Sequence, residues 1–160
     1  MPPITALLHT ENDALRLGRC LETLYPCDHI LIVDHGSRDA TVQVAHEYGA
    51  QVVVATPGAS PDQYLQSTTV GWILVLDPRE SLTEGLAASL FEWKAEWKAD
   101  HGVPAFSMLL REETAGGWME VAAAHTRLVP RTWNRWNGQF PIHDPSALAL
   151  DGELLRFTFP

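Results

Sequence analysis

Lysine is nearly missing from this chain. Only Lys94 and Lys98 occur among 160 residues, and the formal net charge is −9. With no basic stripe to neutralise phosphates, the composition argues against nucleic-acid binding. An anionic ligand would need local help from a helix N-terminus, a metal ion or one of the arginines. Cysteine is equally scarce: Cys20 and Cys27 form neither a C-x-x-C pair nor a disulfide framework, and they read as two reduced thiols. No apolar run reaches the ~20 residues of a membrane span, so no transmembrane segment is expected. The opening MPPITALLHTEND has no basic start of the secretory kind. These absences lead to the expectation of a cytoplasmic protein. What is present, 46% apolar and 19% charged residues, is a globular composition. The length suits one compact domain over residues 1–160, divided into a first half (1–80) and a second half (81–160).

The first half alternates strand and helix signals. PITALLH (3–9) is an apolar run, and Asn12 is positioned to cap a helix in which Ala14, Leu17, Leu21 and Leu24 recur at spacings of three and four. HILIVD (29–34) is a β-branched run ending in aspartate, followed by a turn and a helix that begins near Ser37 or Asp39 and stops at Gly49. AQVVVAT (50–56), a short helix over 61–69 and GWILVLD (71–77) complete the series. This order predicts right-handed crossovers and a parallel sheet covered by helices on both faces. Ligands collect beyond the carboxyl ends of such strands. His9–Asp13, Asp34–Asp39 and Asp77–Glu80 should all fall on that edge.

SLTE (81–84) has the form of a capping box, and Leu82, Leu86, Leu90, Trp93 and Trp97 make the apolar stripe of a helix that ends at His101 and Gly102. After residue 103 the pattern changes to short strands: VPAFSMLL, WMEVAAAHTRLV, QFPIH and LLRFTF. A mixed, partly antiparallel region is expected there.

Four segments carry a resemblance. ITALLHTENDALRLGRCLETL is similar to the opening of family 2 glycosyltransferases, and ILIVDHGSRDATVQVAHEYGAQVV resembles that family's "VVDSGSTDGT" segment. WILVLDPRE aligns with its "WILFLDADE", which contains the D-x-D motif. HTRLVPRTWNRWNGQFPIHD is similar to the late "RLFRR…W.G.VHE" segment of the bacterial, cell-envelope-type members. The resemblance implies a GT-A fold, an α/β three-layer architecture with a mostly parallel central sheet and a mixed C-terminal part. It also implies transfer of a sugar, with inversion, from a nucleotide-diphosphate donor, most commonly a UDP-sugar, to a glycan, lipid or protein acceptor. Carried onto this sequence, Thr10 and Asn12 would line the nucleotide pocket, and Asp34, Gly36 and Asp39 would form its second wall. Asp77 would be the first metal-binding acid, with Glu80 in reserve. His143 and Asp144 would lie at the reaction centre, Asp144 as the candidate base. A divalent cation, Mn²⁺ or Mg²⁺, would stabilise the leaving diphosphate.

The motif departs from the family at its centre. Pro78 and Arg79 follow Asp77, and an arginine cannot ligate a cation. Either Arg79 binds the diphosphate as a bidentate donor, or metal binding is lost and the domain is a weak or inactive relative serving as a binding or scaffold module. His9 stands where the family has proline, and an acid at Glu11 disfavours an anionic donor. The bland readings are turn and cap roles for Asp34 and Asp77, dipole compensation for Asp39, a strand-end role for His143 and a turn role for Asp144. Trp72, Trp93 and Trp97 read as core. Trp133 and Trp136 have a better claim to a ligand surface, and Arg127, Arg131 and Arg135 read as a basic patch or as solvated surface.

Overall fold

The computed structural model describes residues 2–66, 71–98 and 102–160. Four parallel strands build its first half: β1 (Ile4–Thr10), β2 (His29–Asp34), β3 (Gln51–Val54) and β4 (Trp72–Leu76). The crossovers carry α1 (Ala14–Glu22), α2 (Thr41–Glu47) and α3 (Pro61–Leu65). The chain then adds β5 (Glu80–Leu82), α4 (Glu84–Glu96), β6 (Phe106–Thr114), β7 (Gly117–Glu120), β8 (His125–Pro130), β9 (Trp136–Asn137), β10 (Phe140–Pro141) and β11 (Leu148–Arg156). The main sheet runs β3-β2-β1-β4-β8-β6-β11-β5, with β7 alongside β6 and a separate β9–β10 ribbon. Pairing is parallel from β3 to β4 and between β6 and β11, and antiparallel elsewhere along this path.

Continuous apolar strands suit this arrangement because both faces are covered. On β1, Ile4, Ala6 and Leu8 pack with Leu17 and Leu21 of α1 and with Leu86, Leu90 and Trp93 of α4. Leu7 faces the other way, in a cluster with Leu31, Leu65, Val75 and Trp133. Two apolar layers therefore sandwich the sheet, and each fully buried leucine stabilises the fold by roughly 2 kcal/mol. Trp93 packs edge to face on Trp72 and Phe106 in the first of them, and those two rings meet at a tilt, all at centroid separations of 5.2 to 5.7 Å.

Several sequence expectations are corrected. Asn12 does not cap α1: it sits at φ 54°, and Asp13 holds the cap position without a side-chain bond. Ser81 does not start a capping box, because it lies within β5. Thr83 caps α4 instead, its Oγ1 accepting from Leu86 N at 3.2 Å. The helix closes at Trp97 in extended geometry rather than at 101–102, and His101 lies outside the described residues, as do positions 67–69 of the third predicted helix. Gly152 supports the Thr83 cap from the facing strand. Its φ is +98°, and a Cβ there would meet Leu86 N at 2.3 Å, so β11 crosses α4 too closely for any side chain. Among the described residues no helix is long and apolar enough to cross a membrane.

Candidate functional site

The register of β1 sets the geometry of the rim. Thr10 pairs with Asp34 on one side, and Leu8 pairs with Leu76, the residue before Asp77, on the other. The loops after β1, β2 and β4 therefore leave the sheet side by side. Thr10 Oγ1 donates to Asp34 Oδ1 at 2.7 Å, and Ser37 donates to Asp34 through its hydroxyl (2.6 Å) and its backbone N–H (2.9 Å). The hydroxyls of Ser37 and Thr10 and the N–H groups of Ser37 and Gly36 hold the Asp34 carboxyl below the usual carboxylate range, against the opposing effect of burial. Gly36 makes the turn at φ +77°.

The β1 and β2 loops are stitched together by their backbones. Asn12 N donates to Ser37 Oγ at 2.9 Å, and Arg38 N donates to Asn12 Oδ1 at 2.8 Å. Asp39 accepts from Ala14 N at 3.2 Å and from Thr41 N at 3.0 Å, so it serves both helix starts at once. Thr10, Asn12, Asp34, Gly36 and Asp39 thus come together as one bonded cluster; Thr10 lines a cavity at this rim, and Asn12, Asp34, Gly36 and Asp39 are not among its lining residues.

The β4 turn is different. Arg79 grips Asp77 with a two-pronged ion pair, Nε to Oδ1 at 2.9 Å and Nη2 to Oδ2 at 3.2 Å, while Arg79 N also donates to Oδ1 at 2.9 Å. These bonds hold the Asp77 carboxyl below its ordinary value although burial pushes the other way. Glu80, expected as a reserve metal ligand, is fully buried. Arg127 donates to both its oxygens (2.7 and 2.9 Å), Arg156 to Oε2 (2.9 and 3.2 Å), and Asp77 N to Oε1 (2.8 Å). An acid with both oxygens saturated inside the protein cannot coordinate an ion, so the metal role of Glu80 is corrected to that of an anchor. The donor set does not fit a divalent cation: a guanidinium stands where the second acid belongs, and no group of three ligating side chains exists among the described residues.

A polar cavity of about 330 Å³ lies against this turn, lined by Thr10, Asp13, Arg16, Asp77 and Arg79 among others. His9, His35 and Gln139 are shared with a neighbouring cavity of about 440 Å³, whose other walls include Thr56, Gly58 and Tyr64. The two make one groove along the carboxyl edge. His9 Nδ1 lies 2.9 Å from His35 Nε2, and burial together with His35 lowers the His9 pKa to about 4. This pair escaped sequence reasoning. Its only signal was a histidine next to each of two strand ends. A larger cavity, about 700 Å³, opens among Thr5, Tyr25, His29 and Gln51 near the amino ends of the strands, away from these acids.

Neither His143 nor Asp144 is among the lining residues of this groove. His143 is exposed, with Nδ1 2.9 Å from Thr126 Oγ1 on β8. Asp144 is buried, accepts from Ser146 N at 2.7 Å and pairs with Arg135 at 2.5 Å, which lowers its pKa. The basic patch does not form: Arg127 is buried against Glu80, Arg135 stacks on Trp133, and Arg131 donates to Leu65 O. Trp133 itself is core.

No protein-family model matches the chain. A TPR repeat-containing protein of Synechococcus elongatus is 31% identical over 163 residues, covering 94% of this chain and 38% of its own. An uncharacterized glycosyltransferase of Rickettsia felis is 32% identical over 90 residues, 54% of this chain and 32% of that one. The chain thus spans about a third of the length of these curated relatives. Among solved structures, S. aureus TarS 1-349 superposes with a TM-score of 0.62 over 96% of this chain and 57% of that one, at 12% identity. Glucosyl-3-phosphoglycerate synthase of Mycobacterium tuberculosis, in complex with Mn²⁺, UDP and glucosyl-3-phosphoglycerate, gives a TM-score of 0.53 over 69% of this chain and 44% of that one, at 17% identity.

Proposed function

The chain is a GT-A-type, family 2-like glycosyltransferase domain in fold, and from that premise we propose that it takes a nucleotide-diphosphate sugar in the groove beside β1, β2 and β4. One observation carries this reading: Asp34 and Asp77 end strands that flank β1 on the same edge, and both loops border one continuous groove. The nucleoside belongs in the part near Thr56 and Tyr64, with the ribose hydroxyls reaching the Asp34 cluster. The diphosphate then lies toward Arg16 and Arg79. A UDP-sugar is the donor of choice, because the structural neighbour with the same fold is complexed with UDP. The acceptor, whether glycan, lipid or protein, approaches from the side of His143 and Asp144. Of these two, His143 is the better base: Asp144 is closed by Arg135, whereas the exposed imidazole is fixed through Nδ1 alone. The reaction is a single displacement with inversion, as in the family the sequence resembles.

Titration calorimetry with UDP and UDP-glucose, in the presence and absence of Mn²⁺, tests donor binding. Binding in the micromolar range is expected, and heat in neither condition at about 1 mM ligand would remove the reading. The closure of Asp77 by Arg79 favours a second reading, a module that binds donor without turning it over. Release of UDP from UDP-glucose, with and without added acceptors, separates the two.

A further inference from the structure

We propose that Arg79 itself holds the donor diphosphate in place of a divalent cation, with Asp77 serving as the resting counter-ion of that arginine. The inference rests on the donor-binding reading above and names its charge partner. In the free chain Asp77 spends both oxygens on Arg79, so a cation arriving there would have to displace a guanidinium 2.9 Å away. The nearest acid in sequence cannot take over, because Glu80 is sealed between Arg127 and Arg156. Asp13, across the cavity, is engaged by Arg16 at 3.5 Å and by Glu11 N at 2.9 Å.

The same arrangement suits an anion. Arg79 keeps a 39% exposed side chain on the cavity wall, and only Nε and one Nη2 hydrogen are spent on Asp77. Its remaining N–H groups have no acceptor among the described residues. A phosphate offers the planar fork the same two-oxygen geometry as a carboxylate and carries more charge, so it can share or take over the guanidinium. The base of the turn meanwhile stays fixed. Glu80 binds Asp77 N from below, Glu80 N donates to Asp77 O at 2.9 Å, and Phe157 N donates to Arg79 O at 2.9 Å. The backbone is anchored in the core while the charged head remains exposed. Arg16 supplies a second guanidinium to the same cavity.

Calorimetric titration of the whole chain with UDP, in EDTA and in Mn²⁺, decides the matter together with three variants. Wild type should bind equally well in both buffers. Arg79→Ala should bind roughly tenfold or more weakly in both, and Arg79→Lys should recover only part of the loss, because it returns the charge without the fork. Arg79→Asp, which restores two acids two residues apart, should bind only with Mn²⁺. Circular dichroism confirms that each variant is folded. If wild type binds UDP in Mn²⁺ but not in EDTA, or if Arg79→Ala binds as wild type does, the arginine assignment falls while donor binding stands. If wild type binds UDP in neither buffer, the donor reading falls, and this inference with it.

Discussion

Asp34 and Asp77 each close a buried parallel strand on the same edge of the sheet. Hydroxyls and N–H groups from Thr10, Gly36 and Ser37 hold the first, whereas the guanidinium of Arg79 holds the second. Neutral donors fix a carboxylate without cancelling its charge, so the β2 turn keeps its negative charge. An ion pair cancels the charge, so the β4 turn presents arginine N–H groups instead of ligand oxygens. Two turns that both follow a strand with an aspartate thus acquire opposite electrostatic characters from the donors that surround it.

The support beneath the β4 turn is where the contrast breaks most violently. Glu80→Ala leaves Arg127 buried without its carboxylate partner, with Val75 O as its remaining acceptor, and removes the acceptor of Asp77 N. Breaking a buried pair from one side costs about 3–5 kcal/mol. The urea midpoint should drop accordingly, and UDP affinity should fall because the turn loses its anchor. Arg79→Ala, by contrast, removes a partly exposed pair and should lower the unfolding free energy by about 1 kcal/mol or less. A comparable loss of stability in both variants would show that the buried cluster is not the anchor.

That cluster also marks the limit of sequence legibility. The four parallel strands and their shared rim could be read because buried strands are unbroken apolar runs and helices between them force crossovers. HILIVD is β2 to the residue. Glu80 could not be placed the same way, since its partners lie 47 and 76 residues away on β8 and β11. The available signal was an arginine beside the leucines of two strand segments, HTRLV and LLRF, since an arginine drawn into the interior needs an acid. β5 was hidden for a related reason: three residues pair with β11 across the whole second half of the chain. Asp39 was legible as a helix-start acid, but its bond to Ala14 N depends on two loops meeting.

Between the two turns, the histidine pair offers a pH test. His9 titrates near 4 in the folded chain and at its ordinary 6.5 when unfolded, and it faces His35 and the Tyr64 ring. The unfolded state therefore takes up its proton first. This contribution to stability is complete above pH 6.5 and is lost as pH falls toward 4, by on the order of 3 kcal/mol. The aspartates act in a separate window: Asp34 and Asp77 have lowered pKa values, so their contributions fade only below about 4. Thermal melts between pH 7 and 4.5 should show a decline in wild type that His9→Gln flattens. Equal slopes would mean that the buried imidazole carries no such penalty.

Asp34→Ala strips the acceptor from Thr10 and Ser37 and should cost about 1–3 kcal/mol of stability. It should also lower UDP affinity by roughly tenfold in EDTA and in Mn²⁺ alike. Asp77→Asn keeps one oxygen for Arg79 N and frees the guanidinium, so under the arginine assignment it should bind UDP at least as well as wild type. The pair of variants sharpens the contrast between the loops, because two strand-end acids at one rim should respond in opposite directions.

The smallest effect lies where the β1 and β2 loops are tied. Asn12 combines a φ of 54° with a bond from Arg38 N to its side chain. Asn12→Gly loses the bond and gains a residue at ease in left-handed backbone, two changes of roughly 1 kcal/mol that oppose each other. Asn12→Ala loses the bond and keeps the strain. A double comparison by thermal melting should place glycine near wild type and alanine about 1–2 kcal/mol below it. If alanine matched glycine, the positive φ would be no constraint, and the tie between the loops would rest on Ser37 Oγ and the Asn12 backbone alone.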